Sequence, residues 1–86
     1  MKKIISEVEN EGMISLLGKR VLIFCLNYIY TGVLTGVNET CVLLEDAAIV
    51  YKTGAFSDQA FKDAQKLSFP VYIQLGAIES FSETDK

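Results

Sequence analysis

Residues 21–38 carry no charge at all, and the apolar positions in and around them lay out a series of strands. Residues 19–26 are apolar on both faces of an extended chain. Val21, Ile23 and Cys25 fall on one side and Leu22, Phe24 and Leu26 on the other, which predicts a strand covered on both sides. Asn27 and Tyr28 read as a turn, residues 29–37 as a second strand, Asn38 and Glu39 as a tight connection, and residues 40–51 as a long third strand. The pattern then changes. In residues 52–67, Ser57 suits a helix N-cap, and Ala60, Phe61, Ala64 and Leu67 recur at helical spacing, so a loop with a short helix is expected. Phe69, Val71, Ile73 and Leu75 alternate, with Pro70 placed for a strand start. Gly76 breaks that run before a short last strand over residues 77–81, and residues 82–86 are expected to be a disordered tail.

At the other end, residues 6–17 predict an α-helix. Ser6 and Glu9 have the spacing of a capping box, Met13, Ile14 and Leu17 share a face, and Gly18 stands where a left-handed cap belongs. Gly12 weakens this helix, so its start can move to Asn10. Gly32 and Gly36, inside a β-prone apolar run, belong where a sheet bends sharply or another backbone comes close. Meandering short strands with interior glycines predict a single all-β domain over residues 1–86, built as a small, strongly bent barrel.

Composition narrows the function classes. Eighty-six residues make one small domain. Half of them are hydrophobic, and the mean hydropathy is +0.28, a high value for a chain with little interior. Some apolar surface is therefore expected to meet a partner. The net charge of −3 is the reverse of the basic footprint of most nucleic-acid binders. Cys25 and Cys41 fit no metal spacing and read as small buried hydrophobes. With no histidine, no phosphate-cradling glycine loop and no nucleophile beside a base, neither an enzyme nor a cofactor is expected. Glu45 and Asp46 are strand neighbours and point to opposite faces, so they make no acid–base pair. No secretory signal pattern is visible, and the glycines and Asn27 spoil residues 21–38 as a membrane span. A soluble, cytoplasmic protein is the expectation.

Two motifs carry a resemblance. Gly32, Leu34, Gly36 and Asn38 lead into "CVLLEDA" (residues 41–47), and "VYIQLGAIESF" spans residues 71–81. In order and spacing they resemble the two motifs of the Sm/LSm family, which includes bacterial Hfq. The resemblance covers about residues 6–81 and implies a helix before five bent antiparallel strands. It also implies homo-oligomeric rings of five to seven copies, in which the fourth strand of one copy pairs with the fifth of the next. The ring interface would then be Val71, Tyr72, Ile73, Ala77, Ile78 and Phe81, with bends at Gly32, Gly36 and Gly76. Single-stranded RNA would meet Asn38 and Gln74, with Tyr28 and Tyr30 as stacking surfaces and Lys19 and Arg20 near phosphates.

The departures from the family pattern are chemical. Val42 stands where the family has a base-reading Asn, Gln74-Leu75 stand at its Arg-Gly, and Asn38 replaces its aspartate. Hfq's Lys-His pair is absent. Six copies would carry −18 (6 × −3), so uniform phosphate affinity is expected to be low. Two readings stand side by side: a ring that binds single-stranded RNA as a chaperone or particle core, and a ring scaffold that has lost RNA binding. The scaffold would contact protein partners through residues 52–67, with Phe56 and Phe61 as anchors. An OB-fold, which forms no ring, is the alternative small barrel.

Overall fold

The computed structural model describes residues 2–6 and 11–86. They form six antiparallel strands: β1 (Arg20–Cys25), β2 (Ile29–Val37), β3 (Cys41–Lys52), β4 (Asp63–Lys66), β5 (Val71–Gln74) and β6 (Ile78–Glu83). The main path of the sheet runs β4-β3-β2-β1-β6, and β5 also pairs with β3. The fold is all-β. The twelve-residue β3 is long enough to hold two partners on one edge. Its first half takes β5 (Val42 opposite Ile73) and its second half takes β4 (Ile49 opposite Gln65).

The core lies on one face of this curved sheet. Val21, Ile23, Leu34, Val42, Leu44, Ala47 and Ile73 pack there with Met13. Leu22, Ala48 and Val50 are buried as well, so β1 is covered on both faces over Val21–Ile23, whereas Phe24 and Cys25 are half-buried and Leu26, expected to be covered, lies beyond the strand and is 86% exposed. The sheet bends through two register shifts. Between Thr31 and Val33 of β2 lies Gly32 alone, while Asp46 and Ala47 both lie between their partners Ala48 and Glu45. Further along, Thr35 is the extra residue between Leu34 and Gly36. Each shift is a β-bulge, which bends and twists the ladder.

Several sequence expectations need correction. The α-helix predicted over residues 6–17 is not formed across residues 11–17, which hold only a 3-10 turn at Ile14–Leu16. Gly12 and Gly18 both have left-handed backbones, with φ of 75° and 85°, and the stretch between them is too short for a stable helix. Glu9 of the capping box and the alternative start at Asn10 lie outside the described residues. The helix expected within residues 52–67 is replaced by turns and β4. The open edge of β3 offers that segment ladder hydrogen bonds that a short exposed helix cannot match, and Tyr51 Oη donates to Gln65 Oε1 at 2.9 Å across the pair.

The last strand runs further than the expected residues 77–81, into the segment read as a tail. β6 continues to Glu83, opposite Val21, and Thr84 N–H donates to Arg20 O at 3.0 Å. The sheet has six strands, not five, and does not close into a barrel. β5 and β6 are joined by a 3-10 turn at Leu75–Ala77 and do not pair with each other. Among the described residues the outer edges of β4, β5 and β6 are unpaired. No helix among them is long and apolar enough to cross a membrane.

Candidate ligand cleft

At one end of the sheet, the β1–β2 turn and β5 enclose a cleft of about 230 Å3, lined by Tyr28, Tyr30, Tyr72, Gln74, Asn27 and Cys25, among others. Three local features build it. The turn closes when Cys25 N–H donates to Tyr28 O at 2.9 Å, which places Tyr28 and Tyr30 on one side of β2 with ring centroids 6.1 Å apart and planes tilted by 51°. On β5, Tyr72 and Gln74 are two residues apart and share the outward face, while Ile73 between them enters the core. Pairing of Cys41 with Gln74 then sets β5 beside the β2–β3 turn.

Asn38 builds that turn. Its Oδ1 accepts from Thr40 N–H (2.8 Å), Cys41 N–H (2.9 Å) and Thr40 Oγ1 (3.1 Å). Its own N–H donates to Cys41 O at 3.0 Å. This is an Asx turn, in which the side chain takes the place of a backbone carbonyl. Leu75 N–H donates to Thr40 O at 2.8 Å, tying the end of β5 to the same turn. The carbonyl oxygen of Asn38 is thus committed to the fold, and only its amide NH2 is free to contact a ligand.

The cleft is aromatic, amide-rich and free of cations: none of its lining residues is Lys or Arg. Burial raises the Cys25 thiol above its ordinary value, and the charge of Glu79 adds to the effect. Burial likewise raises the Tyr30 hydroxyl, with smaller contributions from Cys25 and Tyr28. Both groups are neutral at physiological pH. The arrangement can stack planar rings on tyrosine faces and hydrogen-bond through amides. It has no general base, no nucleophile beside a base and no metal cluster among the described residues.

The six residues expected to meet RNA separate into two groups. Tyr28, Tyr30 and Gln74 share the cleft, with Asn38 in the adjoining turn. Lys19 and Arg20 stand at the opposite end of β1. Lys19 Nζ lies 3.9 Å from Glu83, and Arg20 donates to Asp46 at 2.8 Å. Val42, at the family's base-reading position, is fully buried. Of the residues expected at a ring interface, Ile73 is buried, Val71 and Ile78 are half-buried, and Tyr72, Ala77 and Phe81 are exposed. Gly76 sits in the 3-10 turn with nothing within 4 Å of an added Cβ. Tyr72 and Asn27 are cleft residues that the sequence reading placed elsewhere. The signal was available for Tyr72, because it alternates with Gln74 on the outward face of β5. No family model matches this chain, and no characterised protein matches it in sequence.

Proposed function

We propose that this protein is a non-catalytic, Sm-like subunit that assembles head-to-tail through the outer edges of β5 and β6. On this reading the assembled ring takes bases of single-stranded RNA into the tyrosine cleft. The observation that carries it is the convergence of Tyr28, Tyr30, Tyr72 and Gln74 on one cleft from strands distant in sequence. Base stacking on aromatic faces is worth about 1–3 kcal/mol per base and tolerates any sequence. The assembly is supported by free strand edges, of which β5 and β6 are two of the three left open among the described residues. An exposed edge is a template for pairing, and a contact between two different edges closes into a ring when the rotation between copies allows it. A neighbouring copy would then supply the closure that the single sheet lacks. With no cation in the cleft, affinity rests on stacking and amides and depends weakly on salt.

A second reading, a ring scaffold for protein partners, has its own support. The charge of Glu79 acts on the cleft, and Phe56, 65% exposed, stands out from the 52–67 segment. The two readings are separated by fluorescence anisotropy with short U-rich and A-rich RNA, at low and physiological salt, on material sized by light scattering. The expected result is an oligomer that retains RNA at physiological salt, with Tyr72→Ala and Gln74→Ala each weakening the complex. A monomer refutes the assembly. An oligomer that ignores RNA at low salt refutes the RNA reading and leaves the scaffold.

A further inference from the structure

A second concavity, of about 400 Å3, lies at the other end of β1, between the β2–β3 bulge, β4 and the end of the chain. Its chemistry is the reverse of the cleft's. Arg20, Lys62, Lys66 and Lys86 line it with two carboxylates, Asp46 and Asp63. That is half of all the cations in the chain, four cationic side chains against two acidic ones in a protein of net charge −3, and Lys86 O accepts from Thr31 Oγ1 at 3.4 Å in the same pocket. Cations gathered in a concave site focus their field on whatever enters it.

The fold holds these charges in place. Asp46 is the one non-glycine residue with a left-handed backbone among those described, at φ 50°. It occupies the bulge opposite Gly32, and its carboxylate sits between two cations: Oδ2 accepts from Arg20 at 2.8 Å and Oδ1 contacts Lys66 Nζ at 2.9 Å. A second Arg20 nitrogen reaches Asp46 O at 3.4 Å. One carboxylate thus fixes two cations side by side and neutralises only one of them. Lys86 Nζ is held against Ala55 O at 3.2 Å and lies over the rings of Phe61 and Phe56, 5.1 and 5.6 Å from their centroids.

We infer that this pocket is an oxyanion site for a phosphate dianion, either free or as the terminal phosphate of a larger molecule. The excess of cationic over acidic side chains in the pocket favours an anion of that kind. Arg20 keeps the guanidinium hydrogens that Asp46 does not take, and the lysines supply point charges, the usual means of holding phosphate oxygens. The inference is independent of what the tyrosine cleft takes.

Isothermal titration calorimetry of the full chain with inorganic phosphate and pyrophosphate, at low ionic strength, tests it. Saturable binding, one site per chain, is expected. Lys62→Gln and Lys66→Gln should each weaken it about tenfold, while Lys2→Gln, outside the pocket, leaves it unchanged. Lys62 is an exposed loop residue, so its variant should fold even if another does not, and circular dichroism verifies this. A short oligonucleotide with and without a 5′-phosphate identifies the source. A gain from the 5′-phosphate assigns the pocket to terminal phosphates, and phosphate binding without that gain assigns it to the free ion. Absence of saturable phosphate binding by the folded chain overturns the inference, as does equal weakening by Lys2→Gln and Lys66→Gln.

Discussion

Gly32→Ala isolates the bend that shapes the whole sheet. Gly32 is buried in β2, where the bulge brings Asp46 and Ala47 across from it. A Cβ at this position would stand 3.1 Å from Ala47 Cα, 3.1 Å from Glu45 O and 3.3 Å from Ala47 Cβ. Two of those atoms are backbone in the central ladder, so the clash cannot be relieved by rotating a side chain. Overpacking of this kind costs about 1–3 kcal/mol. Loss of unfolded-state entropy returns about 0.4–1 kcal/mol, which leaves a net destabilisation of at most about 2.6 kcal/mol and about 1.3 kcal/mol at the middle of the two ranges. For a domain of this size, that lowers the Tm by roughly 4–15 °C.

Gly36→Ala is the internal control. It shares the strand, and its new Cβ would meet only Leu43 Cβ at 3.4 Å and Leu43 Cδ2 at 3.9 Å, which are ordinary contacts. The same entropy gain then has no clash to offset it, so this variant should be neutral or slightly stabilised. Urea and thermal denaturation of both variants, followed by circular dichroism, provide the comparison. If Gly32→Ala melts with the parent, or if both variants fall equally, then close backbone approach at the bulge is not what requires glycine there.

Two further predictions concern side chains that hold local geometry. Asn38→Ala removes the acceptor of the Asx turn and should cost about 1 kcal/mol, whereas Asn38→Asp keeps the acceptor and should be close to neutral; denaturant midpoints distinguish them, and a loss of RNA binding by Asn38→Ala alone would report turn geometry before base contact. Hydrogen bonds from Lys66 and Arg20 hold the Asp46 carboxyl below the usual aspartate range. Its contribution to stability is therefore fully present above the unfolded value near 4 and is lost as pH falls through the lowered folded value. Asp46→Asn should melt less steeply with falling pH than the parent below about pH 4; parallel curves would show that the two ion pairs contribute nothing.

Some of this structure was legible residue by residue. The unbroken apolar run of residues 21–26 predicts a central strand because both of its faces need cover. Gly18 takes its left-handed turn, and Asn38 stands in the tight connection expected of it, through chemistry that depends on few neighbours; that its side chain closes the turn was not read from the sequence. The sequence-level errors fall where local preference competes with a partner distant in sequence. Residues 57–67 carry a helical spacing, but the free edge of β3 draws Asp63–Lys66 into a ladder. Residues 6–17 carry an amphipathic pattern, but two left-handed glycines bracket a single 3-10 turn. Residues 82–86 look like a polar tail, yet Val21 and Arg20 extend the pairing of β6 along them.

The candidate sites divide in the same way. The sequence by itself determined an all-β chain, the positions of its glycines and turn residues, its charge deficit, and the residue types available to hold a ligand. Tertiary structure alone decided which of them meet. Register is set by pairing along the full length of β3, and this brings Tyr72 and Gln74 to Tyr28 and Tyr30. The same pairing carries Lys62 and Lys66 to Arg20 on the far side. Nothing in the spacing of residues 19–20 or 62–66 foretells that meeting. It depends on a bulge that turns Asp46 outward, and a bulge is a property of two strands together.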